Sequence, residues 1–556
     1  MQIWRQAKSS EARSETVPAP PRQGMVRWYD PSLWLATGFQ VFVSTALGQR
    51  FDYRLMEDTA GRQGVFDYSD WNWSQDDDFC FDYLADTGDG WNSTHAVASL
   101  VAQERLTVGC EALPRGCFLV LGGDEVYPAA NKQNYTERLV APFEAAFFPQ
   151  PPNPYDFRHP RVFAVPGNHD WYDGLVSFSR LFSQRLWIGG WRTQQDRSYF
   201  AVKLPARWWL WAVDIQLESD IDPGQRQYFE KIASSQLKAG DRVILASAEP
   251  DWLYRDITDP AADSTLAALE EEVIEARGAD VYLWVSGDLH HYRRHARVDD
   301  PRYQRIVSGG GGAYLASTHA PLLGPAGPTA ARTVEVGKIL YEQQCAFPSP
   351  ATSWRLSFLN LFFLLKNWKA GFITGAVYSA ATWLRPWEPI SLEDFLEDPL
   401  RLTWGLLVFS IVWFFARRSG QGRDGPAFRL VGGAVHAAAH IALALLIAYE
   451  SAQLCGHLGN RLAVLLASFA LNFAAGAMAG PALLGAYLLV GSNLFGAHTD
   501  EAFSALRIQD FKHFLRLRIR QNGTLEIFPI AIPKVPRAGE DRAQYVLLEE
   551  PVQIIP

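Results

Sequence analysis

The chain has 556 residues, a formal net charge of −9 and 48% hydrophobic residues. That length exceeds what a single core supports, so two or more domains are expected. Acid is dense in residues 67–89 and base in "KHFLRLRIR" near the end, and no long Lys/Arg tract or basic repeat points to nucleic acid.

Five scattered cysteines (Cys80, Cys110, Cys117, Cys345, Cys455) form no C-x-x-C pair. They indicate neither a disulfide framework nor a cysteine zinc site, and fit reduced thiols facing the cytosol.

Residues 1–24 are polar and Pro-rich, lack the apolar core of a secretory signal, and are expected to form a disordered leader. Residues 25–78 hold an N-terminal helix and an acidic, aromatic segment. Within them "SLWLATGFQVFVSTAL" (32–47) is apolar but shorter than the roughly twenty residues of a spanning helix. It reads as a buried or membrane-surface helix.

Residues 79–345 alternate short apolar runs with Gly/Asp/Asn turns: "CFLVLGGDE", "RVFAVPGNHD", "WWLWAVDIQ", "DRVILASAEP", "VYLWVSGDLHH" and "YQRIVSGGGGA". Runs of this kind are strands buried on both faces, with function at their carboxyl ends. Intervening stretches such as 264–279 have helical spacing, which makes this a layered α/β domain.

Residues 350–497 differ. The segments 402–416, 428–449 and 462–491 are long apolar runs almost free of charge, and 371–384 could also cross. The third run is long enough for two helices broken at Gly480-Pro481. An integral membrane domain of about three to five helices is expected. The loop 417–429 is basic and should face the cytosol, while the acidic 388–399 should face away. If 371–384 spans, that places the α/β domain in the cytosol, with the cell membrane as the expected location. The tail, 498–556, is soluble in character, and 514–532 alternates on either side of Asn522-Gly523 as a hairpin does. Such a hairpin needs the α/β domain to pack on.

Four strand ends carry the chemistry: Asp86-Thr87-Gly88, Gly123-Asp124-Glu125-Val126-Tyr127, Gly167-Asn168-His169-Asp170 and Gly287-Asp288-Leu289-His290. In a parallel sheet these groups converge on one edge. Oxygen ligands with a few nitrogens suit Mn, Fe, Zn or Mg, and two such cations can activate a bridging hydroxide for attack on phosphorus.

In this order, D-x-G, G-D-x-x-Y, G-N-H-D and G-x-x-H resemble the calcineurin-like metallophosphoesterases, with the second motif in its purple acid phosphatase form. The resemblance covers roughly residues 79–320. It implies two packed sheets flanked by helices and a phosphoric ester hydrolase with two divalent or trivalent metal ions. Asp86, Tyr127 and His290 would then hold one metal, Asp124 would bridge, and Asn168 would bind the second. His169 would act as general acid with Asp170 orienting it. Asp89, Asn92, His291 and Arg294 are candidates to touch substrate or bound water, and Trp171 and Tyr172 could line a pocket or cap the core. "SGGGGA" resembles the closing loop of these domains, or is a tight turn where backbones approach.

The sequence departs from the family at "VILASAEPDW", which lacks a His, and at Asp288, which stands where a His is usual. Glu249 and Asp288 are the nearby ligands that could substitute. His436 and His440 share one helix face. With Glu450, His457, His498 and Glu501 they could form a second metal site, or be neutral histidines bonded between helices.

The sequence therefore supports a membrane-anchored phosphoesterase whose substrate could be lipid-linked. The alternative is a catalytically weak binding, scaffold or regulatory protein of the same fold.

Overall fold

The computed structural model describes residues 21–33, 64–73, 78–147, 159–215, 221–258, 264–319, 333–384, 392–417, 428–537 and 543–556. Most of the expected leader, most of the apolar segment 32–47 and the centre of the loop 417–429 lie outside these residues.

Two large mixed sheets form the α/β part. In one, β1 (Phe79–Leu84), β2 (Phe118–Leu121) and β3 (Arg161–Ala164) run parallel. In the other, β4 (Trp208–Val213), β5 (Arg242–Ser247), β6 (Asp280–Ser286) and β7 (Gln304–Ser308) run parallel. Side chains of both sheets share one apolar cluster, including Phe81, Val120 and Phe163 from the first and Leu210, Ile244 and Val285 from the second. Strands that bury both faces read as continuous apolar runs, which is why these segments lack alternation.

The C-terminal hairpin, β8 (Lys512–Ile519) and β9 (Leu525–Ile532), extends the first sheet, with β8 antiparallel to β1. Arg516 makes a buried bidentate pair with Asp82 of β1 at 2.7 and 3.0 Å. That geometry satisfies both charges and makes loss of either partner costly.

Between the α/β part and this hairpin the chain forms a helical bundle. Among the described residues, three helical segments, of 19, 26 and 35 residues, are long and apolar enough to cross a membrane. Within them α2 is Pro399–Arg417, α3 Gly433–Cys455 and α4 Arg461–Val490, and α1 (Gly371–Ser379) precedes them. The sequence marked 371–384 as a shorter segment that could also cross, and α1 belongs to a longer run of helical turns, from Phe358 to Trp383, that follows the helix Pro350–Ser357. This run lies antiparallel along α4. Gly485 meets Asn360 and Phe363, Gly371 meets Ala477, and Gly375 meets Phe473. Asn472 donates to the Tyr378 carbonyl at 3.0 Å.

The break expected at Gly480-Pro481 does not occur, because α4 continues through Pro481. Pro481 has no N–H for the Ala477 carbonyl, and its ring crowds that position. Gly371 approaches this carbonyl so closely that a Cβ would lie 2.3 Å from it, so the freed oxygen packs against a residue with no side chain.

Candidate metal centre

The carboxyl ends of both sheets meet along one edge. Asp86 follows β1, Asp124 follows β2 and Asn168–Asp170 follow β3, while Glu249 follows β5 and Asp288 and His290 follow β6. Asp86, Asp124, Asp288 and His290 all have positive φ (58°, 53°, 70° and 47°). Non-glycine residues cost energy there, and such strain concentrates at functional sites.

Among the described residues, Asp86, Asp124 and His290 are the one group of three or more His, Cys, Asp or Glu whose donor atoms lie within 4.8 Å of one another. All three are buried. The Tyr127 hydroxyl sits at their centre, 3.0 Å from Asp86 Oδ1, 3.1 Å from Asp124 Oδ2 and 2.9 Å from His290 Nε2. A hydroxyl has one hydrogen to donate, so Tyr127 cannot satisfy both carboxylate oxygens at once.

The electrostatics point the same way. Burial, then neighbouring carboxylates, hold the Asp86 and Asp124 carboxyls well above their usual range. Burial pushes His290 down to about 3, which keeps it a neutral nitrogen donor. Two crowded carboxylates, a neutral imidazole and a phenol are the donor set of a hard or borderline cation, and they fit one here.

Glycines allow the approach. A Cβ on Gly167 would fall 2.0 Å from Asp124 Oδ1, and one on Gly309 would fall 2.4 Å from Asp86 Oδ2. Of the two readings of "SGGGGA", the close backbone approach is the one this geometry supports.

His169 stands beside the group, its ring 4.4 Å from that of Tyr127. Its backbone N–H donates to Asp124 Oδ1 at 2.9 Å, and its Nδ1 lies 2.7 Å from the Pro128 carbonyl. A carbonyl only accepts, so Nδ1 carries hydrogen and Nε2 the lone pair of the neutral ring. Burial pushes His169 down to about 4. The expectation that Asp170 orients this imidazole is corrected. Asp170 instead accepts from the Gly167 and Glu125 N–H groups (2.9 and 3.2 Å) and the Tyr135 hydroxyl (2.6 Å), which fixes the turn.

The other candidates separate. Asn168 is exposed, with its amide 3.5 Å from the Tyr172 hydroxyl. The Asp288 N–H donates to Asp86 Oδ2 at 2.9 Å, but its carboxylate accepts from Tyr254. Glu249 is half-buried, and it and Asp288 fall outside the three-residue group. Asp89 is buried, and its oxygens accept the N–H groups of Val26 (2.6 Å) and Tyr314 (3.1 Å). Arg294 turns away to a bidentate pair with Glu549 at 2.8 and 2.6 Å. His291 is buried behind His290, and Asn92 is half-buried in the first turn of the helix Trp91–Val101. Trp171 is core, donating to Asp214 at 3.2 Å, whereas Tyr172 flanks His169 at 5.0 Å.

Three neighbours escaped the sequence reading. Trp28 packs over His169 and Tyr127 (5.8 and 6.4 Å between rings), Tyr314 edges His290 at 4.6 Å, and Lys512 is buried behind the glycine loop. Burial pushes Lys512 down to about 8. No motif marks Trp28 or Tyr314, and Lys512 reads as one charge of a basic strand.

No protein-family model matches the chain, and a search of curated proteins finds no match.

Proposed function

We propose that the chain is a metal-dependent phosphoric ester hydrolase anchored in a membrane. The observation that carries the reading is the Tyr127 hydroxyl held against Asp86, Asp124 and His290 where the two sheets end. A cation held by these four residues supplies Lewis-acid charge that polarises a phosphoryl oxygen and acidifies water. Asn168, Asp288 and Glu249 are the nearest groups for a second cation. His169 Nε2 is placed to exchange a proton with the leaving oxygen. Trp28 and Tyr172 wall the imidazole on two sides.

The membrane part supports one topology. Strand β8 is hydrogen-bonded to β1, so the chain before the bundle and after it lies on one side of any bilayer. Three long helices are an odd number of crossings, and the run beginning at Phe358 supplies the fourth. Arg417 ends α2 at the end nearest the sheets, where Phe415 stacks on His498, and the sequence that follows is basic, which by charge bias marks the cytosolic side. A site beside a bilayer suits a phosphate on or near a lipid headgroup.

Hydrolysis of an aryl phosphate by the full chain with added Mn²⁺, Zn²⁺ or Mg²⁺ tests the reading. Turnover lost in both Asp124→Ala and His169→Ala supports it. The Asp288–Tyr254 bond, which draws one expected ligand aside, favours a second reading as a binding protein. Stoichiometric metal without turnover would select that reading.

A further inference from the structure

We propose that the helical bundle carries protons along its core, between its far end and the end that meets the sheets. This rests on the membrane-spanning reading above. The bundle is apolar outside and polar inside. Leu406, Ile411, Leu446, Leu466 and Met478 are exposed on its surface, whereas Tyr378, Ser379, His436, His440 and Asn472 are buried. Ionisable groups in spanning helices are costly and mark ion or proton paths.

The buried groups are ordered. The Tyr378 hydroxyl lies 2.7 Å from His440 Nδ1, and His440 Nε2 lies 3.0 Å from His436 Nε2. Two imidazole nitrogens at that distance share one hydrogen, so the tautomer of one ring sets that of the other. If His440 donates from Nε2, its Nδ1 accepts from Tyr378 and His436 carries its hydrogen on Nδ1. If His436 donates, His440 Nδ1 donates to the Tyr378 oxygen. Both polarities keep the two hydrogen bonds, as proton hopping requires. A proton taken up at one end is balanced by a different proton released at the other, with no oxidant or reductant.

Toward the sheets, the His436 ring stacks on Tyr487 with centroids 3.9 Å apart, and His436 Nδ1 is buried without a hydrogen-bond partner. A turn of that ring would offer the proton to the next pair, Tyr487 and His498 Nε2 at 3.1 Å, and His498 leads to Glu501 at 3.7 Å. Toward the far end, Asn472 Oδ1 is likewise buried without a partner beside Tyr378. Beyond it, buried Thr382, Ser451 and Ser468 continue the polar line.

The test is proton flux into liposomes that carry the full chain and a trapped pH-sensitive dye, driven by a potassium gradient with valinomycin. Wild-type protein should acidify the lumen at least about tenfold faster than protein-free vesicles. Tyr378→Phe and His440→Phe should both fall to the protein-free rate. Tyr378→Phe removes only a hydroxyl and so guards against loss of the fold. Protein that resists carbonate extraction but gives no flux would overturn the relay and leave the spanning reading intact, as would unchanged flux in both variants. Protein stripped by carbonate would overturn both.

Discussion

The two corners of the strand-end edge differ in how tightly they close. At one, Asp86, Asp124, Tyr127 and His290 are buried and in mutual contact; at the other, Asn168 is exposed and Asp288 is bonded to Tyr254. The first corner is drawn together by glycines that admit no side chain and by residues held at positive φ. At the second, Gly123 approaches Ala248 just as closely and Asp288 also has positive φ, but Asn168 is exposed and the Asp288 carboxylate is taken by Tyr254. The difference teaches that where the side chains aim, as much as how closely the backbones approach, decides which donor atoms come together.

The comparison breaks hardest at Asp124. Asp124→Asn should cost metal affinity more than the roughly 10- to 100-fold typical of residues outside the coordination shell. Isothermal titration with Mn²⁺ would measure it. His169→Ala should leave metal content intact and lower kcat by about 10²- to 10⁴-fold, with the smallest loss for the best leaving group.

Gly309→Ala should weaken metal binding by about tenfold or more, because its Cβ would fall 2.4 Å from Asp86 Oδ2 and that carboxylate would have to shift. The pH response has a fixed sign. Because burial and like charge raise the Asp86 and Asp124 carboxyls, protons compete with the cation at higher pH than for free carboxylates, so affinity should fall as pH drops below neutral. The smallest effect is topological. Cys110 is exposed, so an impermeant maleimide should label it only after cells are opened.

Much of this edge was legible in the sequence. Each acid or imidazole followed a run of buried strand residues, and the run "SGGGGA", which holds Gly309, offered a tight turn where backbones approach. The turn at Asp170 was not legible, because its partners are backbone N–H groups and Tyr135, which no motif announces. Arg294 was misread because its partner Glu549 is supplied by the distant tail. The expected break at Pro481 failed because a glycine on another helix accommodates the freed carbonyl. The crossing number proposed for the bundle was hidden for a similar reason, since the proposal rests on β8 pairing with β1 across most of the chain.

The most direct test is an anomalous difference map from crystals of metal-loaded protein. A peak should appear enclosed by Asp86, Asp124, Tyr127 and His290, with any second peak weaker and toward Asn168 and Asp288. Metal-loaded protein with no peak among those four side chains would contradict a metal centre at this corner.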